Sequence, residues 1–205
     1  MIKDDLIAGY KSFRRGNFVE QKLLFEELGR GQNPKVLVIA CSDSRVDPAH
    51  IFASKPGDIF SVRNVANIVP PASSGDNSVA AAVQYAVTVL GVEMIMVMGH
   101  ASCGGVQGCL DGMGHDPEAG AVGKWVSTLN DVRERILAKG LPADQVAFEM
   151  QLEGVRQSIS NLMTFSYVKQ AVEAGKLSLQ GAYFSIAPAK LLLQDAQGEF
   201  EGVSV

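Results

Sequence analysis

The sequence predicts an α/β fold with a mostly parallel central sheet flanked by helices, an antiparallel strand near the C-terminus and an N-terminal helical arm. Three observations predict this class. Hydrophobic runs such as 36–40 and 94–98 are almost continuous, which is typical of parallel strands buried on both faces. From residue 35 onwards these runs alternate with helical patterns, as expected of βαβ units. Near the C-terminus two strand patterns follow each other closely, over 177–186 and 190–193, as in an antiparallel pair.

Two helices are predicted before the first strand. Four apolar side chains fall on one helical stripe after the acidic residues Asp4 and Asp5, namely Leu6, Ile7, Tyr10 and Phe13. Asn17, three residues before Glu20, is typical of a second helix start, and Gly29 is typical of its end. The two helices form an amphipathic arm, which packs either on the core of its own chain or on a partner subunit.

The elements after the arm alternate regularly. They are a strand over 35–40, a short helix near 48–53, a strand over 58–62, a helix over 77–90, a strand over 94–98 and a helix from about residue 104. Two helical stripes follow, with Trp125, Leu129, Val132 and Ile136 in the first and Phe148, Leu152, Val155, Ile159 and Leu162 in the second. Because no repeat or interdomain linker is found, residues 1–205 are predicted to form a single domain that includes the arm, residues 1–33.

Composition limits the possible partners and compartments. The chain is 47% hydrophobic and 20% charged, enough to bury a core, and its net charge of −4 argues against nucleic acid binding. The longest apolar stretch, Val79–Val92, contains polar side chains and is too short to span a membrane. The first five residues include Asp4 and Asp5 and lack the apolar stretch that is typical of a secretory signal. We therefore expect a cytoplasmic protein that binds neither nucleic acid nor membrane. The thiols next to a histidine are expected to be metal ligands or nucleophiles rather than disulfide partners.

Metal-ligand residues follow two of the predicted strands. Cys41 follows the first strand, and His100 and Cys103 follow the strand over 94–98. Because the carboxyl ends of neighbouring parallel strands meet at one edge of a sheet, we expect these three residues to lie together. Cys103 directly precedes Gly104, at a predicted helix start that favours the thiolate form. Two thiolates and an imidazole with a fourth position open are typical of catalytic zinc.

A charged pair, Asp43 and Arg45, stands beside this predicted metal site and leaves two arrangements open. Asp43 could be a fourth ligand that closes the site. Alternatively, Arg45 could hold Asp43 away from the metal, so that water takes the fourth position and loses a proton near neutral pH. Asp43, kept ionised by Arg45, would then accept the remaining hydrogen of that hydroxide. Cys109 lies within the predicted helix with no partner nearby and is expected to belong to the core.

The chain closely resembles the β-class carbonic anhydrases. The segments that carry the resemblance are Cys41–Val46, Pro56–Phe60, Arg63–Pro71, Tyr85–Val87, Gly99–Gly105 and Ser158–Leu162. The first and fifth of these segments are specific to the family, and the likeness runs in order from about residue 35 to residue 200. The resemblance implies a zinc enzyme, with one Zn²⁺ per subunit, that interconverts carbon dioxide and bicarbonate through a zinc-bound hydroxide. It also implies a dimer or a dimer of dimers in which the arm packs on the neighbouring subunit.

Carried over by position, the resemblance implies specific roles. Cys41, His100 and Cys103 would be the zinc ligands, and Asp43 and Arg45 would be the catalytic pair. The implied substrate pocket is lined by Tyr85, Val38, Lys55 and Gly104. For Tyr85, a core aromatic is an equally good interpretation.

Departures from the family pattern favour one subtype. Val38 and Phe184 stand where members with an inhibitory bicarbonate pocket carry a tryptophan and a tyrosine, although Arg63 matches the arginine of that pocket. The resemblance is therefore closer to the plant-like subtype, in which Asp43 pairs with Arg45 and the site stays open. Lys55 stands where plant-like members carry a glutamine.

Two other functions fit the same residues. Relatives on this scaffold hydrolyse carbon disulfide or carbonyl sulfide, and a non-catalytic zinc protein would keep Asp43 as a permanent fourth ligand. A redox protein that uses Cys41 and Cys103 is disfavoured, because these residues do not form a Cys-x-x-Cys pair and His100 would have no purpose.

Overall fold

The structure is a computed structural model that describes residues 2–204, and the chain divides into two compact units at Asn33 and Pro34. The first unit contains helices α1 (Lys3–Arg15), α2 (Asn17–Glu20) and α3 (Lys22–Leu28). The rings of Phe13, Phe18 and Phe25 pack together with centroids 5.4–6.1 Å apart. The predicted second helix is divided at Gln21, whose φ of −110° and ψ of 19° lie outside the helical region.

The second unit is built on one sheet of six strands in the order β2-β1-β3-β4-β5-β6. The strands are β1 (Val36–Cys41), β2 (Ile59–Asn64), β3 (Met94–His100), β4 (Ser178–Ser185), β5 (Lys190–Gln194) and β6 (Phe200–Gly202). The first four are parallel to one another, while β5 and β6 are antiparallel to their neighbours. This sheet confirms the predicted mostly parallel α/β fold with an antiparallel strand near the C-terminus. The short strand β6 was not predicted.

Seven helices belong to the second unit. They are α4 (Pro48–Ile51), α5 (Ser78–Tyr85), α6 (Gly104–Leu110), α7 (Gly120–Val126), α8 (Asn130–Ala138), α9 (Ala143–Leu162) and α10 (Ser166–Glu173). Helix α5 continues as a π-helical turn, Ala86–Leu90, that ends at Gly91 in the left-handed region. Short 3-10 turns cover Val65–Asn67, Ala72–Ser74, Met113–His115, Pro117–Ala119 and Ser127–Leu129. The predicted stripe from Trp125 to Ile136 is therefore divided between α7, a 3-10 turn and α8.

Side chains of β1 alternate between two apolar layers. Leu37 and Ile39 are fully buried on one face, against helices that include α5, α9 and α10. Val38 and Ala40 face the other way and pack with Met98 and Ala182. Burying one leucine or isoleucine of this kind contributes about 1.5–3 kcal/mol, so β1 is a rigid support for the residues at its carboxyl end. Within residues 2–204, none of the helices has the length and apolar character that crossing a membrane requires.

Candidate metal centre

Three potential metal ligands meet at the carboxyl edge of the parallel strands. Cys41 is the last residue of β1, His100 is the last residue of β3, and Cys103 directly precedes α6. Since β1 and β3 are hydrogen-bonded neighbours, their ends lie side by side. The three ligand atoms all lie within 4.8 Å of one another, and all three residues are buried. The juxtaposition predicted from the strand ends is present.

The geometry of this cluster fits a zinc ion. The two sulfur atoms are 3.9 Å apart, close to the edge of about 3.8 Å expected for two thiolates in tetrahedral coordination at about 2.3 Å from zinc. His100 Nδ1 donates to the carbonyl oxygen of Ala101 over 2.9 Å, so Nε2 carries the free lone pair. Nε2 is buried and has no hydrogen-bond partner among the described residues, which costs about 1–3 kcal/mol if nothing binds it. A metal ion bound by Cys41, His100 and Cys103 satisfies this atom.

The two thiols interact with each other, and this contact favours the thiolate form of Cys41, the form that binds metal. The thiol of Cys103 donates toward Cys41 and thereby lowers the pKa of Cys41, against the effect of burial. The same contact raises the pKa of Cys103, while the backbone N–H groups of Gly105 and Val106 at the start of α6 act in the opposite direction. Binding of one metal ion by both sulfur atoms requires the proton that the two residues share to leave.

Asp43 is held by Arg45 in a two-pronged ion pair. Arg45 Nε donates to Asp43 Oδ1 over 2.9 Å, and Nη2 donates to Oδ2 over 2.7 Å. The backbone N–H of Arg45 also donates to Oδ1, at 2.9 Å. These hydrogen bonds from Arg45 keep the pKa of Asp43 well below its usual range, so the carboxylate is ionised at neutral pH. Both carboxylate oxygens of Asp43 are therefore engaged by Arg45.

Arg63 supports this region in a way that the sequence reasoning missed. Its Nε donates to the carbonyl oxygen of Cys41 over 3.0 Å, and its Nη2 donates to that of Asp43 over 2.6 Å. Its Nη1 lies 3.5 Å from the carboxylate of Asp47. The register of β2 against β1 places Arg63 opposite Ala40, beside the first ligand. The sequence feature that could have indicated this role is a basic residue near the end of the neighbouring parallel strand.

Three of the four predicted pocket residues lie on separate elements of the second unit. Gly104 is the first residue of α6 and directly follows the ligand Cys103, with open space where a Cβ would stand. Tyr85 ends α5, is 45% exposed, and has its ring 6.0 Å from that of Phe60. Lys55 is exposed in the loop before β2.

Val38 lies on the face of the sheet opposite to Cys41. It is buried with Ala40 and Met98, whereas Cys41 packs with Cys103 and Val106. The physical reason is the alternation of a β-strand, because residues three apart point to opposite faces. Val38 therefore belongs to the core of that opposite face and not to the surroundings of the Cys41 sulfur.

An α/β sheet with a buried Cys-His-Cys cluster at its carboxyl edge defines a metalloprotein with a thiolate-imidazole centre. Residues 36–191 match the protein family described as carbonic anhydrase. The chain belongs to the β-class carbonic anhydrase family.

Individual relatives agree with this assignment. The mitochondrial beta carbonic anhydrase 6 of Arabidopsis thaliana is 32% identical over 92% of this chain and 66% of its own length. Beta carbonic anhydrase 3 of the same plant is 35% identical over 86% of this chain and 70% of its own length. The chain thus spans about two thirds of the length of these plant relatives.

Solved structures show the same fold. The β-carbonic anhydrase CcaA superposes with a TM-score of 0.93 at 32% identity, covering 98% of this chain and 92% of that chain. A structure from a report on two tetrameric β-carbonic anhydrases of the ascomycete Sordaria macrospora gives a TM-score of 0.78 at 28% identity, covering 98% of this chain and 95% of that chain.

Proposed function

We propose that this protein is a zinc lyase that catalyses the reversible hydration of carbon dioxide to bicarbonate and a proton. The observation that carries the proposal is the pairing of two features at one sheet edge. A buried Cys41–His100–Cys103 cluster offers three metal ligands, and Asp43 beside it is engaged by Arg45. Three protein ligands with the nearby carboxylate occupied elsewhere leave room for a water molecule at the metal.

The metal ligands and Asp43 have separate roles in the proposed reaction. Cys41, His100 and Cys103 would hold the zinc ion, which when bound makes water acidic enough to supply a nucleophile at neutral pH. Asp43 accepts three hydrogen bonds from Arg45, while a carboxylate has about four acceptor positions. The remaining position can accept a hydrogen from the reacting water and orient its lone pair toward carbon dioxide. The exposed fraction of the Asp43 side chain, 18%, allows that contact.

Arg45 acts on Asp43 and on the loop that leads to Cys103. Besides the carboxylate, its Nη2 donates to the carbonyl oxygen of Ser102 over 3.2 Å. This bond links the Asp43 segment to the Cys103 segment, so the carboxylate keeps a fixed position relative to two of the ligands. Gly104 and Tyr85 are proposed to border the path of the small apolar substrate, with Lys55 at its rim.

The arrangement of Asp43 favours the open-site subtype over a non-catalytic zinc protein. A permanent Asp43 ligand would have to give up the charge-assisted pair with Arg45, whose two side-chain bonds are both short. The rival activity, hydrolysis of carbon disulfide or carbonyl sulfide, would use the same centre. Assays with each substrate distinguish it from carbon dioxide hydration.

The zinc-loaded chain should hydrate carbon dioxide rapidly and release little sulfide from carbon disulfide or carbonyl sulfide. Zinc content is measured on the same samples by atomic emission. Removing the metal with a chelator should abolish hydration, and restoring zinc should return it. Rapid sulfide release without carbon dioxide hydration, at one zinc per chain, would assign the rival activity instead.

We propose that the protein forms a dimer or a dimer of dimers, in which the arm packs on the partner subunit. None of the residues of α1, α2 and α3 is buried. Several large apolar side chains of the arm are exposed, among them Leu6, Tyr10 and Leu23, the last at 80%. Apolar surface of this kind is typical of an interface. The tetrameric relatives from Sordaria macrospora agree with such self-association.

Sedimentation analysis tests this assembly. The full chain should sediment as a dimer or tetramer at micromolar concentration, and removal of residues 1–33 should shift it toward the monomer. An unchanged oligomer after removal would place the interface elsewhere.

For the compartment we propose the cytoplasm. All three cysteines are free, which suits a reducing environment, although the mitochondrial relative shows that the family is not confined to one compartment. The net charge of −4 agrees with the absence of a nucleic acid partner.

A further inference from the structure

The turn that follows β2 adopts a strained conformation. Ala66 has a φ of 63° and Asn67 a φ of 47°, two successive residues in the left-handed region without a glycine. Such conformations cost free energy and persist only where the surrounding structure enforces them. We call the 3-10 turn Val65–Asn67 the ligand turn.

The ligand turn contacts the segments of both cysteine ligands. A Cβ added at Gly105, two residues after Cys103, would stand 2.5 Å from Val65 Cγ1 and 3.1 Å from Ala66 Cβ. Ala66 is buried in the same cluster as Cys41 and Cys103. The N–H of Ser42, the residue after Cys41, donates to the carbonyl oxygen of Asn64, the residue before the turn, over 2.9 Å. The turn therefore packs against the start of α6 and is joined to the segment that carries Cys41.

Side chains from distant elements hold the ligand turn. Trp125 Nε1 on α7 donates to the carbonyl oxygen of Val65 over 2.8 Å. Ser158 Oγ on α9 donates to the carbonyl oxygen of Asn67 over 3.3 Å. It also accepts from the N–H of Val69 over 3.1 Å. These bonds hold the two ends of the turn, Val65 and Asn67.

We propose that Trp125 and Ser158 are positioning residues for the metal centre, which they act on through the ligand turn. The inference rests on the proposed zinc site at Cys41, His100 and Cys103. Without the bond from Trp125, the strained turn relaxes toward ordinary backbone conformations, and its packing against Gly105 and Cys41 changes. Interactions just outside the ligand shell orient metal ligands, and losing one typically lowers metal affinity by about 10- to 100-fold.

The test compares Trp125→Phe with Tyr167→Phe. Each substitution keeps an aromatic ring and removes one side-chain donor to a backbone carbonyl. Tyr167 donates to Ala80 over 3.2 Å and packs outside the apolar cluster that contains Cys41 and Cys103, so it serves as the control. Zinc affinity is measured at fixed pH by competition with a chromophoric chelator, and the urea midpoint of the metal-free protein reports stability.

We expect Trp125→Phe to weaken zinc binding about 10-fold or more, and Tyr167→Phe to change it by less than about twofold. The cobalt-substituted Trp125→Phe protein should also show altered sulfur-to-cobalt charge-transfer bands, while the control should match the unmodified chain. Equal zinc affinities and identical cobalt spectra for the two variants would overturn the proposal. Failure of the unmodified chain to bind one zinc would instead overturn the proposed function.

A second pair of variants tests the contact between the ligand turn and the start of α6. Gly105→Ala introduces a methyl group that collides with Val65 and Ala66, whereas a methyl group at Gly154 in α9 would meet only Leu129, at 4.0 Å. Gly105→Ala should lower zinc affinity and alter the cobalt spectrum in the same sense as Trp125→Phe, and the control Gly154→Ala should leave the zinc affinity unchanged. If Gly105→Ala binds zinc as tightly as Gly154→Ala, the ligand turn does not position the metal centre.

Discussion

Asp43→Ala should retain one zinc ion per chain and lose carbon dioxide hydration by roughly 10²- to 10⁴-fold. Zinc is retained because Cys41, His100 and Cys103 form the ligand cluster without the carboxylate. Turnover falls because no acceptor remains to orient the reacting water. Stopped-flow hydration in saturating carbon dioxide, with zinc content measured on the same sample, checks both halves of the result.

Asp47→Asn is the matched control for this change. Asp47 also pairs with an arginine, Arg63 at 3.5 Å, and it caps α4 by accepting from the N–H of Ala49. Asparagine preserves the capping oxygen, so Asp47→Asn should stay within about threefold of the unmodified turnover. Full turnover in Asp43→Ala with zinc content unchanged would remove Asp43 from the mechanism. Loss of zinc in that variant would indicate that Asp43 is a ligand.

Cys103→Ser should lose both zinc and hydration activity. A serine hydroxyl does not ionise at neutral pH and has little affinity for zinc, so only two of the three ligands would remain. The protein should also lose the added stability that zinc binding confers, which is measured as the difference in urea midpoint with and without the metal.

Cys109→Ser supplies the control for the same chemical change. Cys109 is buried in α6, with its sulfur 3.8 Å from Asn130 Oδ1 and no place in the ligand cluster. Burial raises the pKa of its thiol, which keeps it neutral. The variant should keep one zinc and near-native turnover. Zinc bound at full stoichiometry in Cys103→Ser would contradict the ligand assignment.

The ligand cluster could be predicted from the sequence because each ligand marks the end of a recognisable element. Cys41 and His100 close hydrophobic strands, and parallel strands bring their carboxyl ends together. The ion pair of Asp43 and Arg45 was also predictable, since the two residues lie close in the chain.

The ligand turn and the residues that hold it could not be predicted. Ala66 carries no sequence signal for a left-handed conformation, because glycine or asparagine is the usual residue there. Trp125 lies 60 positions from Val65 and Ser158 lies 91 positions from Asn67, so their contacts arise only from tertiary packing. In the sequence, Trp125 is only one member of an apolar helical stripe. In the structure, its indole N–H donates to Val65, which gives Trp125 a role beyond packing in the core.

The placement of Val38 shows a different limit. The family resemblance implied a pocket position for Val38, three residues before Cys41, but strand alternation turns the side chain into the opposite layer of the core.

We propose a zinc-dependent hydratase whose site stays open because Arg45 holds Asp43. The decisive experiment is stopped-flow hydration of carbon dioxide by the zinc-loaded protein from about pH 6.5 to about pH 9. We expect activity throughout this range, following the titration of a single group and abolished by chelation. A steep, cooperative loss of activity below about pH 8 with zinc still bound, or no hydration at any pH, would contradict it.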